Sequence, residues 1–138
     1  MNRLDLQKMS QLRRSDARAL LGASRYAGAY YLVGYSVECA LKSCIAKQIR
    51  RHDFPDKKLV VDAHTHNLET LLKLAGLKQD LENDFKKNPA LEVNWTVAKD
   101  WSERKRYDPD ISAAQAKDLY SACVARKNGV LAWIKQKW

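Results

Sequence analysis

Apolar residues recur at three- and four-residue spacing along most of the chain, which is the pattern of amphipathic helices. The first such segment runs from Leu4 to about Leu21 and carries charged residues on its other face. Its predicted buried stripe consists of Leu4, Met9, Leu12, Ala17, Leu20 and Leu21. Gly22 predicts the end of this helix, and Ser24 predicts the N-cap of the next one. Because the junction is short, we expect the two helices to pack as antiparallel neighbours.

The second segment, from about Ser24 to Arg51, is the most informative part of the chain. Between Arg25 and Lys42 it is nearly continuous in apolar and small residues, contains no proline and holds one carboxylate, Glu38. Such a run predicts a helix that is buried on most sides. Glycine inside a helix costs about 1 kcal/mol relative to alanine. The glycine at Gly34 therefore predicts that another backbone comes close there.

The rest of the chain predicts short helices followed by one long helix. A polar loop over residues 56–65 is interrupted by Leu59-Val60-Val61, whose conformation the sequence leaves open. Gly76 and Asn88-Pro89 separate three short helices, which we predict at Leu68–Ala75, Leu77–Lys87 and Ala90–Trp101. A charged connection leads to a final helix, predicted from Ser112 to the C-terminus.

No segment has a convincing strand period. The expected fold class is therefore all-α, an antiparallel up-and-down four-helix bundle with short extra helices in the middle. The length of 138 residues predicts a single domain over residues 1–138.

The formal net charge of +9 favours an anionic partner, such as nucleic acid, a nucleotide or an acidic protein. The alternative is a solvated basic surface, because lysine and arginine are spread along the chain and form no block. Three cysteines without Cys-x-x-Cys spacing predict small buried residues in a reducing compartment. The N-terminus has no apolar signal-peptide core, and no apolar run reaches the roughly 18 residues of a membrane span. We therefore expect a cytoplasmic protein with no membrane partner.

Several motifs resemble the HEPN domain (higher eukaryotes and prokaryotes nucleotide-binding). They are the helix Tyr26–Lys42, then His66-Asn67-Leu68 with Leu71-Leu72, Asn94-Trp95, and the segment Trp101–Tyr107. The resemblance covers most of the chain, from about Asp16 to Trp138. It implies an antiparallel four-helix bundle and a frequent homodimer. It also implies links to RNA cleavage, nucleotide binding or pairing with a small nucleotidyltransferase.

The chain departs from this family at the nuclease motif, an arginine followed after four to six residues by a histidine. None of the three histidines, His52, His64 and His66, has an arginine at that distance before it. Arg126 on the final helix has no histidine at that distance after it. The motif is absent, so we expect no catalytic residue and no RNA cleavage through it.

Glu38 is the residue with the clearest chemical requirement, because a carboxylate in an apolar helix is costly unless it is paired. Lys42 lies one helical turn further on, at the favourable spacing for an ion pair. One interpretation is a polar anchor that binds a ligand or contacts the segment of Arg104 and Arg106. The other is an ion pair, or a hydrogen bond to a tyrosine or tryptophan, that fixes the bundle.

His64 and His66 lie two residues apart, which does not place them on one face of a helix. We therefore predict no metal site. His66 is expected to begin a helix or to form a hydrogen bond across the bundle. No Gly-rich phosphate loop or Ser-His-Asp order is present, and we expect no cofactor.

The segment around Trp101, Arg104, Arg106 and Tyr107 mixes aromatic rings with cations. Aromatic faces stack on bases, and guanidinium groups pair with phosphates. This composition could hold a nucleotide or single-stranded nucleic acid. Alternatively, Trp101 and Tyr107 close the end of the bundle while the basic residues stay in water.

Three functional hypotheses follow. The first is a non-enzymatic HEPN-type domain that binds a second copy of itself, a nucleotidyltransferase subunit, or a nucleotide or RNA ligand. The second is a divergent RNA-cleaving toxin of a toxin-antitoxin or defence system, with His66 as acid or base and Arg106 as phosphate clamp. The third is a structural subunit without a ligand. The candidate binding residues are Glu38, Lys42, His66, Trp101, Arg104, Arg106 and Tyr107.

Overall fold

The computed structural model describes residues 1–49, 54 and 56–138, with the backbone alone at 106 and 107. These residues form helices and connecting segments and contain no strand, so the all-α fold class is confirmed. A short 3-10 helix spans Glu103–Tyr107. The α-helices are α1 Arg3–Gly22, α2 Tyr26–Gln48, α3 Lys57–Asp62, α4 Leu68–Leu74, α5 Lys78–Lys87, α6 Pro89–Lys99, α7 Ala113–Val124 and α8 Val130–Lys135.

The long helices α1 and α2 pack as an antiparallel pair, as their short junction predicts. Leu20 near the end of α1 lies against Gly28 near the start of α2. Towards the other end, the hydroxyl of Ser10 donates to the carbonyl of Ser36 over 2.8 Å, and the hydroxyl of Ser36 donates to the carbonyl of Ser10 over 2.7 Å. Both serines are buried. Small side chains with satisfied hydroxyls therefore let the two helices approach closely.

The helix α2 lies at the centre of the fold and contacts α1, α4, α7, α8 and the 3-10 helix. Its inner residues are buried over most of its length, including Val33, Val37 and Leu41 at 0% exposure. The prediction of a helix covered on most sides is confirmed. The end predicted at Arg51 lies outside the described residues, and the described helix ends at Gln48.

The prediction of which α1 residues are buried is wrong in part. Leu4 and Leu12 are 62% and 55% exposed, whereas Ser10 and Ala17 are buried. On a helix of 3.6 residues per turn, Ser10 and Ala17 share one side and the two leucines lie away from it. The close contact with α2 favours small residues, so the leucines are turned outward.

The predicted N-cap at Ser24 is also wrong. Ser24 has a φ of 60°, in the left-handed region, and Arg25 occupies the N-cap position. The backbone of Ser24 makes the turn that reverses the chain. It therefore lacks the extended conformation that an N-cap residue has.

The prediction of one long final helix is wrong, because this segment divides into α7 and α8. Asn128 has a φ of 61°, and Gly129 follows it as the N-cap of α8. The backbone carbonyl of Asn128 accepts a hydrogen bond of 2.8 Å from the side-chain amide of Asn94 on α6. The Asn-Gly turn therefore breaks the helix and is fixed to a neighbouring helix.

The start predicted at Ser112 is confirmed. Its hydroxyl accepts from the backbone N–H of Gln115, and the Gln115 side chain accepts from Ser112 in return, which forms a capping box. The three short helices of the middle region also lie where the sequence predicts them, within about two residues. The open question at Leu59-Val60-Val61 is answered by α3, which contains all three residues.

Candidate functional site

A buried carboxylate on α2, Glu38, is the centre of the candidate site. Its side chain is 2% exposed. One oxygen, Oε2, lies 3.3 Å from Nζ of Lys42, and the other, Oε1, lies 2.8 Å from Nδ1 of His66. The predicted pair with Lys42 is confirmed, and of the two roles expected for His66 the structure shows the hydrogen bond across the fold, since α4 begins at Leu68 after the N-cap Asn67. The described side chain of Arg104 makes no ion pair with Glu38, and the side chain of Arg106 lies outside the described part of the structure.

The imidazole of His66 is held by a short, well-anchored loop before α4. The hydroxyl of Thr65 accepts from the backbone N–H of Asn67 over 3.1 Å. The side chain of Asn67 then caps α4 by accepting from the N–H of Thr70 over 2.9 Å. This cap turns the chain at His66, which lies beside α2 and reaches Glu38.

The orientation of His66 has a chemical consequence. An ionised carboxylate only accepts hydrogen bonds, so Nδ1 of His66 is the nitrogen that donates to Glu38. The His66 side chain remains 48% exposed. The ring is therefore fixed on one side and accessible on the other, where Nε2 is left for a ligand.

A cleft of about 360 Å³ lies at this exposed side of His66. It is lined by Thr65, His66, Asn67, Trp101, Ser102, Glu103 and Arg104. Three of the predicted site residues, His66, Trp101 and Arg104, therefore line one cleft. Glu38 lies behind His66, and Lys42, on the other side of Glu38, lines the pocket that contains His64. Arg106 and Tyr107 belong to the 3-10 helix, and their side chains lie outside the described part of the structure.

The indole of Trp101 forms a wall of the cleft rather than a stacking platform. Trp101 is 3% exposed, and its ring lies 6.1 Å from that of Tyr31, between centroids. A Cβ placed on Gly34 would overlap this indole. The prediction of a close approach at Gly34 is confirmed, but the neighbour is a side chain and the predicted backbone contact is wrong. The burial agrees with the interpretation in which Trp101 closes the bundle.

The charges at the cleft are mixed. Arg104 is exposed, and its backbone N–H donates to the hydroxyl of Ser102 over 3.3 Å, which starts the 3-10 helix. Glu103 lines the same cleft. A cation, a carboxylate and a fixed imidazole therefore surround one polar opening.

Sequence reasoning missed the polar wall residues Thr65, Asn67, Ser102 and Glu103. A signal existed for two of them, because Asn67 and Ser102 are side-chain caps directly before helical segments. Nothing in the local pattern places Thr65 and Glu103 at the same opening, since they meet only through the packing of distant segments.

The two neighbouring histidines separate in space. His64 lines a different, largely apolar pocket of about 260 Å³ together with residues of α2 and α3. Within the part of the chain that the structure describes, no group of three or more His, Cys, Asp or Glu side chains is placed to hold a metal ion.

The three cysteines are free and buried, as predicted. Burial raises the pKa of Cys39 and Cys44 to about 11 and that of Cys123 to about 12. Because only the thiolate is nucleophilic, none of these thiols is a candidate reactive residue.

We expect none of the three thiols to react with a maleimide at roughly pH 8 while the chain is folded, and all three to react in denaturant. Mass spectrometry counts the labels.

The ordinary pKa of a thiol is 9.0, so the thiols of the unfolded chain ionise at lower pH than those of the folded chain. The stability contribution of the buried thiols is complete below that pH and is lost as the pH rises through about 11 to 12. Rapid labelling of the folded chain would contradict their burial.

Compared with models of protein families, with curated proteins and with solved structures, the chain has no significant match. In the described ranges, no helix combines the length and the apolar character that crossing a membrane requires.

Proposed function

We propose that this chain is a non-enzymatic HEPN-type helical domain that binds the phosphate of a nucleotide or RNA at the cleft of His66 and Arg104. The observation that carries the proposal is the convergence of these two residues, which come from distant segments, on one polar opening of about 360 Å³. Both can donate hydrogen bonds to a phosphate, and the formal net charge of +9 favours approach of an anion.

The fold that we propose with it is the antiparallel up-and-down four-helix bundle with short extra helices in the middle. The antiparallel pair α1 and α2 supports this, as do the contacts of α7 with both α2 and α6. In this arrangement α1, α2, α6 and α7 are the core helices. The cleft then lies where the loop before α4 meets the 3-10 helix after α6.

A partner protein belongs to the same proposal, either a second copy in a homodimer or a nucleotidyltransferase subunit. The resemblance in sequence supports these two partners. Light scattering of the purified chain distinguishes a dimer from a monomer. Co-purification with a co-expressed nucleotidyltransferase tests the second partner.

The decisive test is binding of a fluorescent oligouridylate, followed by anisotropy at several salt concentrations. We expect binding that weakens with salt. Arg104→Ala is expected to weaken it about tenfold, because a hydrogen bond to a charged group contributes about 1.5–3 kcal/mol. Arg126→Ala changes the net charge equally, and Arg126 lines a different pocket, so it serves as the matched control. Absence of binding at low salt would rule out the proposal.

The second candidate function is a divergent RNA-cleaving toxin. One observation favours it, namely the buried Glu38 that fixes the ring of His66 beside the cleft. A carboxylate that orients an imidazole is an arrangement used for acid–base catalysis. If the unchanged chain shortens the oligouridylate during the binding assay and His66→Ala does not, the second function replaces the first.

A further inference from the structure

The three bonded side chains at the cleft, Glu38, Lys42 and His66, differ strongly in burial. Glu38 is 2% exposed, Lys42 is 22% exposed and His66 is 48% exposed. The only carboxylate of this group is thus enclosed, while one of its two partners reaches solvent. Lys42 alone neutralises the charge of Glu38. A proton on His66 is therefore an additional charge, and it lies on the ring that borders the cleft.

The rim charges give this proton a role in binding. Among the described side chains that line the cleft, Arg104 and Glu103 carry opposite charges that cancel. With a neutral His66, the described charged side chains of the cleft lining carry no net charge. With a protonated His66, it gains one positive charge and a donor at Nε2, while Nδ1 stays bonded to Glu38.

We infer that His66, positioned by Glu38, makes this cleft a proton-coupled phosphate site, which takes up a proton as the phosphate of a ribonucleotide binds. The inference rests on the proposed function and adds the linkage to it. Histidine ordinarily changes its charge between about pH 5 and 8. By linkage, a ligand that prefers the protonated form binds more tightly as the pH falls.

Among the described side chains, the charged groups near His66 are Glu38, which is paired in turn with Lys42, and Glu103 and Arg104, which line the same cleft. The carboxylate of Glu38 bonds to Nδ1 of His66 through one oxygen and pairs with Nζ of Lys42 through the other. Glu103 repels a bound phosphate, and the added charge on His66 offsets that repulsion. A cleft of about 360 Å³ suits one nucleotide rather than a folded RNA.

Titration calorimetry measures the coupling directly. The binding enthalpy of a short oligouridylate is measured at about pH 7 in two buffers of different ionisation enthalpy. The difference between the two binding enthalpies gives the number of protons taken up. The phosphodiesters of this probe do not titrate in the range. We expect uptake of a fraction of one proton per site, and affinity about tenfold lower at roughly pH 8 than at pH 6. A parallel titration with uridine monophosphate shows whether a free nucleotide or an RNA segment is the preferred source of the phosphate.

The variants assign the proton to its residue. His66→Asn is expected to abolish the uptake and to bind weakly at both pH values, with His66→Gln as a second variant if the first does not fold. His64→Asn, on the other pocket, is expected to behave like the unchanged chain. Glu38→Gln is expected to reduce the uptake, because Nδ1 loses its ionised acceptor.

The outcomes separate the two claims. If the oligouridylate and the mononucleotide fail to bind at either pH, both the proposed function and the coupling are wrong. If binding occurs without proton uptake, or with the same uptake in His66→Asn, the cleft binds phosphate but the coupling is wrong. Uptake that is lost with His66→Asn and kept with His64→Asn supports the inference.

Discussion

Replacing Gly34 with alanine is expected to destabilise the fold by about 2 kcal/mol. The new Cβ would overlap the indole of Trp101, which is 3% exposed and packs beside Tyr31. Overpacking a core costs about 1–3 kcal/mol or more, against about 1 kcal/mol that alanine gains over glycine in a helix. In urea unfolding, we expect the midpoint urea concentration to fall, while the slope of the unfolding free energy against urea concentration stays unchanged.

Gly22→Ala provides the control for helix propensity. Gly22 also lies in a helix, and a Cβ there would have no neighbour within 4 Å. This variant is expected to be neutral or up to about 1 kcal/mol more stable than the unchanged chain. A second control repeats Gly34→Ala in a Trp101→Leu background, where the smaller side chain leaves room. An equal loss of stability in both backgrounds would show that contact with Trp101 is not the cause.

The helices and their breaks could be predicted because their signals are local. Apolar spacing marks α1 and α2, and Asn88-Pro89 separates α5 from α6 as expected. The break between α7 and α8 was missed although Asn128-Gly129 is also a local turn signal. The apolar residues on both sides continue the helical spacing, and that periodicity outweighed the turn residues in the prediction.

The buried face of α1 could not be predicted in the same way. Periodicity selects leucines, but the surface of α2 determines which residues can approach it. Ser10 meets Ser36 through reciprocal hydrogen bonds, while Leu12 remains exposed. The sequence of one helix does not contain the shape of its partner, so small residues were overlooked as contact residues.

The candidate site was predictable to the extent that it follows from charge pairing. Glu38 required a cation, and Lys42 lies one turn away. His66 was expected to bond across the fold, but its acceptor was not identified. The meeting of His66 with Arg104 depends on how the loop before α4 packs beside the 3-10 helix. Sequence spacing carries no information on that contact, since the two segments are far apart along the chain.

Glu38→Ala is expected to destabilise the fold by about 2–3 kcal/mol, mainly through the cavity that a long buried side chain leaves. The lost ion pairs add less, because Lys42 and His66 are 22% and 48% exposed and regain water. Glu38→Gln keeps the volume and an acceptor for His66 but turns an amide donor towards Lys42. We expect Glu38→Gln to lose less stability than Glu38→Ala. Urea unfolding measures both variants.

Glu38→Met separates stability from function at this position. Glu38→Met removes one partner of the ion pair but keeps most of the buried volume, and Lys42 and His66, at 22% and 48% exposure, regain water. We therefore expect Glu38→Met to unfold at a urea concentration close to that of the unchanged chain. The same variant removes the acceptor that positions His66, so the pH dependence of its oligouridylate binding is expected to be weaker than in the unchanged chain. A large loss of stability in Glu38→Met would show instead that the carboxylate is required to hold the fold, and that its pairing with His66 is structural.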